Sequence, residues 1–338
     1  MDDLALLQER LAEFRAAIIN GCEDCWIFLV PSSLGEMSAV CALSAAFKAT
    51  YGGKICIVAD QSRESVFHLF GAVDLMKFSD MHSMRALSSN GVLDPLKFQI
   101  GYPQNLWANQ NRCGRSLSLH DLFIKYPGRG GLSFLDMMRY AMNLPWDSAI
   151  SKGEIGVELH RSALELSEAQ GIDPGNSVIL FPGNNTNKPA SAEFWNALSG
   201  ACVKSGKKVF YALSGAYFKP DDLDIQGVQL DMSPGLAVAV CDIAGHMVSG
   251  ANGLMTLSLL TQSTFSMDVV LTDGSDTVGN LVFAPVDPMS SSTFRCIPEL
   301  MNDMPRRYAE WVVAGDGSAF TEIANNISRA IDGRSAER

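Results

Sequence analysis

A chain of 338 residues, 47% hydrophobic and 19% charged, is long enough for two ordinary cores and too apolar to be disordered. Its formal net charge of −11 argues against nucleic acid as the main partner, because neutralising phosphates takes a basic face. A local basic pocket for a phosphorylated small molecule is compatible with that balance.

Residues 2–19 place Leu4, Leu7, Leu11, Phe14 and Ile18 on one helical face. The segment is acidic and lacks the basic start and apolar run of a signal peptide, so a surface helix is expected. No uncharged apolar run reaches the roughly 18 residues of a membrane span, and no integral membrane segment is expected. The eight cysteines (Cys22, Cys25, Cys41, Cys56, Cys113, Cys202, Cys241, Cys296) are scattered, several within apolar patterns. That is the usage of buried reduced thiols in a cytoplasmic protein. Cys22 and Cys25 have zinc-like spacing but no second pair nearby, and no metal site is expected from them.

Residues 26–60 read as strand, Gly turn, amphipathic helix and strand. The run 26–30 is continuously apolar, as a parallel strand covered on both faces should be. Gly35 turns the chain, residues 37–50 follow as a helix, and 55–59 form the next buried strand. A helix over 65–70 and short strands over 75–78 and 98–100 continue a βαβ rhythm. Such a rhythm predicts a doubly wound sheet with right-handed crossovers. From 101 to 146 the pattern loosens around Trp107, Arg112, Arg115, His120, Lys125 and Arg129, with a helix near 134–142. This stretch is either a long surface excursion or a wall that binds an acceptor.

A helix over 154–169 leads to GIDPGN at 171–176, the clearest break in the chain, where the domain boundary is expected. The rhythm then repeats, with strands at 178–181, 208–213, 228–230, 247–249, 269–272 and 281–283. Helices alternate with them at 192–204, 235–242 and 253–260, and a last one covers about 318–331 with Phe320, Ile323, Ile327 and Ile331 on one face. The expected division is an N-terminal domain over 1–172, a C-terminal domain over 173–315, and a final helix over 316–338 that crosses back to the first. Each Rossmann-like domain offers a polar loop at a strand's carboxyl end, and the two are expected to face a central cleft.

The dinucleotide glycine fingerprint, the P-loop, the nucleophile elbow and the zinc-protease helix are all missing from the sequence. Three stretches carry positive signals. In SSLGE, Glu36 follows a turn glycine at a helix start, where the helix dipole stabilises its charge. It is either a general base at strand carboxyl ends or an ordinary exposed first-turn acid. In FPGNNTNKPASAEFW, a strand ends in Pro-Gly and a loop with Asn184, Asn185, Thr186 and Lys188 enters a helix. Backbone N–H groups there, with a lysine point charge, suit a phosphate; an Asn-rich capping loop is the alternative. In SGANGLMTLSLL, Gly250 and Gly253 bracket a strand-to-helix turn, either for phosphate approach or only for tight packing.

Together these stretches resemble glycosyltransferase family 9, the heptosyltransferase group of lipopolysaccharide synthesis. The family's S-x-L-G-D is matched by Ser33, Leu34, Gly35 and Glu36, with Glu in place of Asp. Its threonine-containing loop, with Lys seven residues before Trp, is matched by Thr186, Lys188 and Trp195. Of its D-[ST]-G-x-x-H, only Gly253 is kept: Ala251, Asn252 and Thr256 stand at the Asp, Ser/Thr and His positions. The resemblance implies an α/β GT-B fold and metal-independent transfer from a nucleotide sugar to a glycan, lipid-linked or small-molecule acceptor. It makes Glu36 the general base. Asn184, Asn185, Thr186, Lys188, Lys219, Asn252 and Gly253 become the donor ligands, with no cofactor or metal. The lost Asp and His keep open a non-catalytic relative that binds a nucleotide sugar or a protein partner. A nucleotide-sugar epimerase or phosphorylase on the same plan is a third reading.

Overall fold

The computed structural model describes residues 9, 12–13, 16–30, 34–79, 99–101, 134–183, 190–213, 223–250, 252–272, 308–313 and 319–335. The chain divides into two compact units, Met1–Gly153 and Glu154–Arg338. Among the described residues, no helix is long and apolar enough to cross a membrane.

In the first unit, β1 (Cys25–Leu29), α1 (Leu34–Tyr51), β2 (Lys54–Asp60), α2 (Glu64–Phe67) and β3 (Leu75–Ser79) are followed by β4 (Gln99–Gly101) and α3 (Phe134–Ala141). The sheet runs β3-β2-β1-β4. Every residue of β1 is buried, as its unbroken apolar run requires. Helix α1 sends Met37, Val40, Leu43 and Phe47 into the core, where Trp26 and Phe28 meet Phe47 edge-on at 5.3 and 4.9 Å between ring centroids. Strands β1, β2 and β3 are parallel, but β4 runs antiparallel to β1, with Ile100 opposite Phe28. Doubly wound sheets commonly carry such an antiparallel strand at an edge, and the expected strand over 98–100 had no direction assigned. Apolar periodicity marks which face of a strand is buried and carries no information on its direction.

All six described cysteines are free and buried. Cys22, Cys25 and Cys56 share a small apolar cluster with Ile18, Ile27, Leu29 and Val58. Burial pushes the Cys25 and Cys56 thiols up, with the neighbouring Cys22 adding to it. Burial alone takes Cys41 to about 12. Among the described residues, no group of three or more His, Cys, Asp or Glu side chains is placed to hold a metal ion.

The second unit contains α4 (Val157–Gln170), β5 (Ser177–Phe181), α5 (Ala192–Lys204), β6 (Lys208–Tyr211), β7 (Val228–Gln229) and α6 (Pro234–Ala244). Then come β8 (His246–Gly250), α7 (Gly253–Leu259), β9 (Ser266–Thr272), β10 (Tyr308–Val313) and α8 (Phe320–Ser335). Its six described strands are all parallel, in the order β10-β9-β8-β5-β6-β7. From β5 the chain steps outward through β6 to β7. It then returns to lay β8 on the other side of β5 and continues outward through β9 to β10. That is the doubly wound order, with its reversal between β5 and β8. One face is covered by α5 and α8: Val178, Leu180, Val209, Val248, Val270 and Val313 of the sheet pack under Phe194, Trp195, Leu198, Ala324, Ile327 and Ile331. Helices α4 and α7 each pack on α6, and α6 lies against β5. Right-handed crossovers put this second layer on the opposite face.

Contacts within the second unit bear on where it starts. GIDPGN is not a linker: Gly171 closes α4 in the left-handed conformation (φ 71°), with its N–H and that of Ile172 returning to the last turn. Helix α4 packs on α6, so the units divide at Gly153 and not near residue 172. Within the second unit, the last helix packs on α5. Its Ala324, Ile327 and Ile331 fill the same core as Trp195. Strand β10 was not anticipated, and the strand expected over 281–283 lies outside the described residues.

Candidate functional site

In the second unit the site begins where β5 ends. Its five residues, SVILF, are all buried, and Pro182 and Gly183 continue buried past the strand's end. The loop candidates Asn184, Asn185, Thr186 and Lys188 lie outside the described residues, as does Lys219. The chain re-emerges at Ala190 and enters α5 through Ser191, whose hydroxyl accepts from Phe194 N–H at 3.4 Å. The Ser191 hydroxyl and a backbone N–H hold the Glu193 carboxyl below its usual range. The N-terminus of α5 is therefore fixed by its own cap.

Strand β8, HMVSG, is buried along its whole length and stops at Gly250. Asn252 then caps α7 from an extended backbone (φ −135°, ψ 178°), its Oδ1 accepting from Met255 N–H at 3.0 Å. Its Nδ2 donates to the Gly183 carbonyl at 2.8 Å. Gly253, half-buried, is the first residue of α7. The β5 exit and the β8 exit, 69 residues apart in sequence, are thus joined at the point where strand order reverses. In open parallel sheets, that crevice outside the strand carboxyl ends is where ligands bind.

The remaining positions of this turn are committed to structure. Thr256 is buried, and its Oγ1 donates to the Asn252 carbonyl at 3.4 Å, a bond back along its own helix. Sequence reading placed Asn252 among donor ligands. Its side chain forms the α7 cap and a cross-tie to Gly183. It also treated Gly183 only as the end of a strand, whereas its carbonyl receives that tie. The available signal was Asn where the resembling family carries Ser or Thr: a second polar atom with greater reach.

In the first unit Glu36 sits, half-buried, in the first turn of α1. Helix α1 follows β1, so Glu36 comes after the carboxyl end of that strand, whose last residue, Leu29, pairs with Gln99 of β4. Asp60 ends the neighbouring β2. Its carboxylate accepts from the Ser62 N–H at 3.0 Å and hydroxyl at 2.6 Å, shaping the short 3-10 turn Gln61–Arg63.

Two Rossmann-like α/β units in one chain define the GT-B class of fold. No family model matches the sequence, and no curated protein matches it. Among solved structures, the chain is similar to a glycosyl transferase family 9 protein from Veillonella parvula. The TM-score is 0.56 and the identity 12%, over 93% of this chain and 96% of that one. It is equally similar in fold to the ADP-heptose lipopolysaccharide heptosyltransferase II of E. coli. There the TM-score is 0.56 and the identity 11%, over 93% of this chain and 99% of that one. At such identities the likeness is one of fold.

Proposed function

We propose that this protein is a metal-independent, inverting glycosyltransferase that moves a sugar from a nucleotide-sugar donor to an acceptor hydroxyl in cell-surface glycan assembly. The observation that carries the reading is the joined pair of loops, Gly183 with Asn252, at the strand-order reversal of an all-parallel sheet. The fold shared with a family 9 structure and with a heptosyltransferase supports it. Free, buried thiols at the six described cysteines support a cytoplasmic setting.

In this reading the donor's diphosphate rests on the β5 loop and the α7 start. Asn184, Asn185 and Thr186 supply polar contacts, Lys188 and Lys219 positive charge, and Gly253 close backbone approach. Glu36 removes the acceptor hydroxyl proton as the acceptor oxygen attacks the anomeric carbon. The bond from that carbon to the diphosphate breaks, and the nucleoside diphosphate leaves with both bonding electrons. Fixed dipoles and cations aimed at the leaving oxygens stabilise charge where it develops.

The test pairs binding with turnover. Calorimetric titration with ADP, UDP and GDP identifies the donor base, ADP first because the E. coli relative is an ADP-heptose enzyme. Release of that nucleotide from its sugar donors then measures transfer. Glu36→Gln is expected to keep nucleotide affinity and lower turnover by about 10²–10⁴-fold. Wild-type turnover in that variant would remove Glu36 from the mechanism.

A specific observation favours a second reading, a non-catalytic relative. The family's His position is held by Thr256, buried and bonded within its own helix, and its Asp position by Ala251. Nucleotide binding without turnover across acceptors is the result that selects it.

A further inference from the structure

Capping α7 and tying its start to β5 are separate tasks, and Asn252 performs them with different atoms. The cap uses Oδ1, which Ser, Thr or Asp supply equally well. The tie uses Nδ2, a donor that none of those residues has in that place.

The tie matters because sheet pairing has ended. Strands β5 and β8 are in register from Ile179 opposite Met247 to Phe181 opposite Ser249. Beyond that point the chains diverge, one entering α5 and the other α7, and the helices lie on opposite faces of the sheet. The Gly183 carbonyl is buried backbone that requires a partner, and the Asn252 carboxamide provides it at 2.8 Å. Asn252 is half-buried, which limits competition from water for the same bond.

We propose that Asn252 is a positioning residue for a nucleoside diphosphate, holding the β5 exit at Gly183 against the α7 start. The proposal rests on the donor placement argued above. It gives Asn252 a task distinct from contacting the donor: its side chain acts through the Gly183 carbonyl. Preorganising two loops before binding removes an ordering cost that the ligand would otherwise meet.

Asn252→Ser keeps a capping oxygen and removes the tie. Asn252→Asp also caps, and turns an acceptor toward the Gly183 carbonyl. Calorimetry with ADP, UDP and GDP, amide hydrogen exchange without nucleotide, and melting temperature are measured on the full chain. The serine variant is expected to melt near the wild type and to bind the nucleotide roughly three- to tenfold more weakly, the range of one neutral hydrogen bond. The aspartate variant is expected to bind more weakly still. In both, exchange should rise at Gly183 as well as around residue 252, and the KM for the donor should rise while that for the acceptor stays constant. Unchanged nucleotide affinity in a folded serine or aspartate variant overturns the proposal while leaving the donor reading intact. A rise in exchange confined to residues 252–256 overturns it too. Failure of the wild type to bind any of the three nucleotides overturns both.

Discussion

Trp311→Phe should destabilise the second unit measurably, although residue 311 lies on an edge strand. The Trp311 indole donates its Nε1–H to Asp268 Oδ1 at 2.8 Å, and Asp268, on β9, is buried to 1% exposure. Phenylalanine keeps most of the ring and all of the backbone pairing between β9 and β10, in which Ala309 lies opposite Asp268. What it removes is one donor to a buried carboxylate. Hydrogen bonds to such groups are worth about 1.5–3 kcal/mol. For a unit the size of Glu154–Arg338, each kcal/mol moves the melting temperature by about 2–4 °C, so a fall of roughly 3–12 °C is expected. Differential scanning calorimetry of Trp311→Phe, Asp268→Asn and the double variant gives both the loss and the coupling between the two side chains. A Trp311→Phe protein melting within about 1 °C of the wild type would refute the claim that this bond anchors β10.

Two further predictions concern titratable groups. Burial pushes the Asp74 carboxyl up, but the Lys48 ammonium at 2.8 Å and the Ile55 N–H at 2.8 Å more than offset it, leaving the carboxyl below its usual range. A depressed folded-state value stabilises fully above the unfolded carboxylate pKa of about 3.9, and that contribution is lost as pH falls through the folded value. Urea unfolding should therefore show a gap between wild type and Asp74→Asn that is constant above about pH 5 and shrinks as pH falls below about 3.9; a gap that stays constant as the pH is taken further down contradicts the assignment. Thiols such as Cys41 and Cys202, both buried and both pushed to about 12, chiefly by burial, hold almost no thiolate at neutral pH. Labelling with an aromatic disulfide at about pH 8, mapped by mass spectrometry, should leave them unmodified until denaturant is added, and rapid labelling in the folded protein would show the burial to be wrong.

Much of the second unit was legible in the chain because its signals are local. The helix expected over 192–204 forms over those residues, with Ser191 as its cap and an apolar face set by Phe194, Trp195, Leu198 and Cys202. The strand expected over 178–181 differs by one residue, and the helix expected over 253–260 also differs by one. Where reading failed, the signal was weak or ambiguous. GIDPGN contains the residues of a linker, yet the same glycine serves as a helix stop, and only the packing of α4 on α6 distinguishes the two. Strand β10 carries Glu310 within a short run and offers little apolar alternation of its own. Its place is set by pairing with β9. Glu36 was readable as a first-turn acid at a strand's carboxyl end, and the structure places it there.

The sequence by itself determined the kinds and approximate limits of most elements, because burial periodicity, caps and turn glycines act over a few residues. The tertiary structure decided strand order, the antiparallel course of β4, the seat of α8 on α5, and the bond from Asn252 to Gly183. The physical reason is that a segment's pattern states which side must be covered but not by what. That choice is made by the summed packing and hydrogen bonding of segments far apart in the chain, and the candidate donor site is built from two of them.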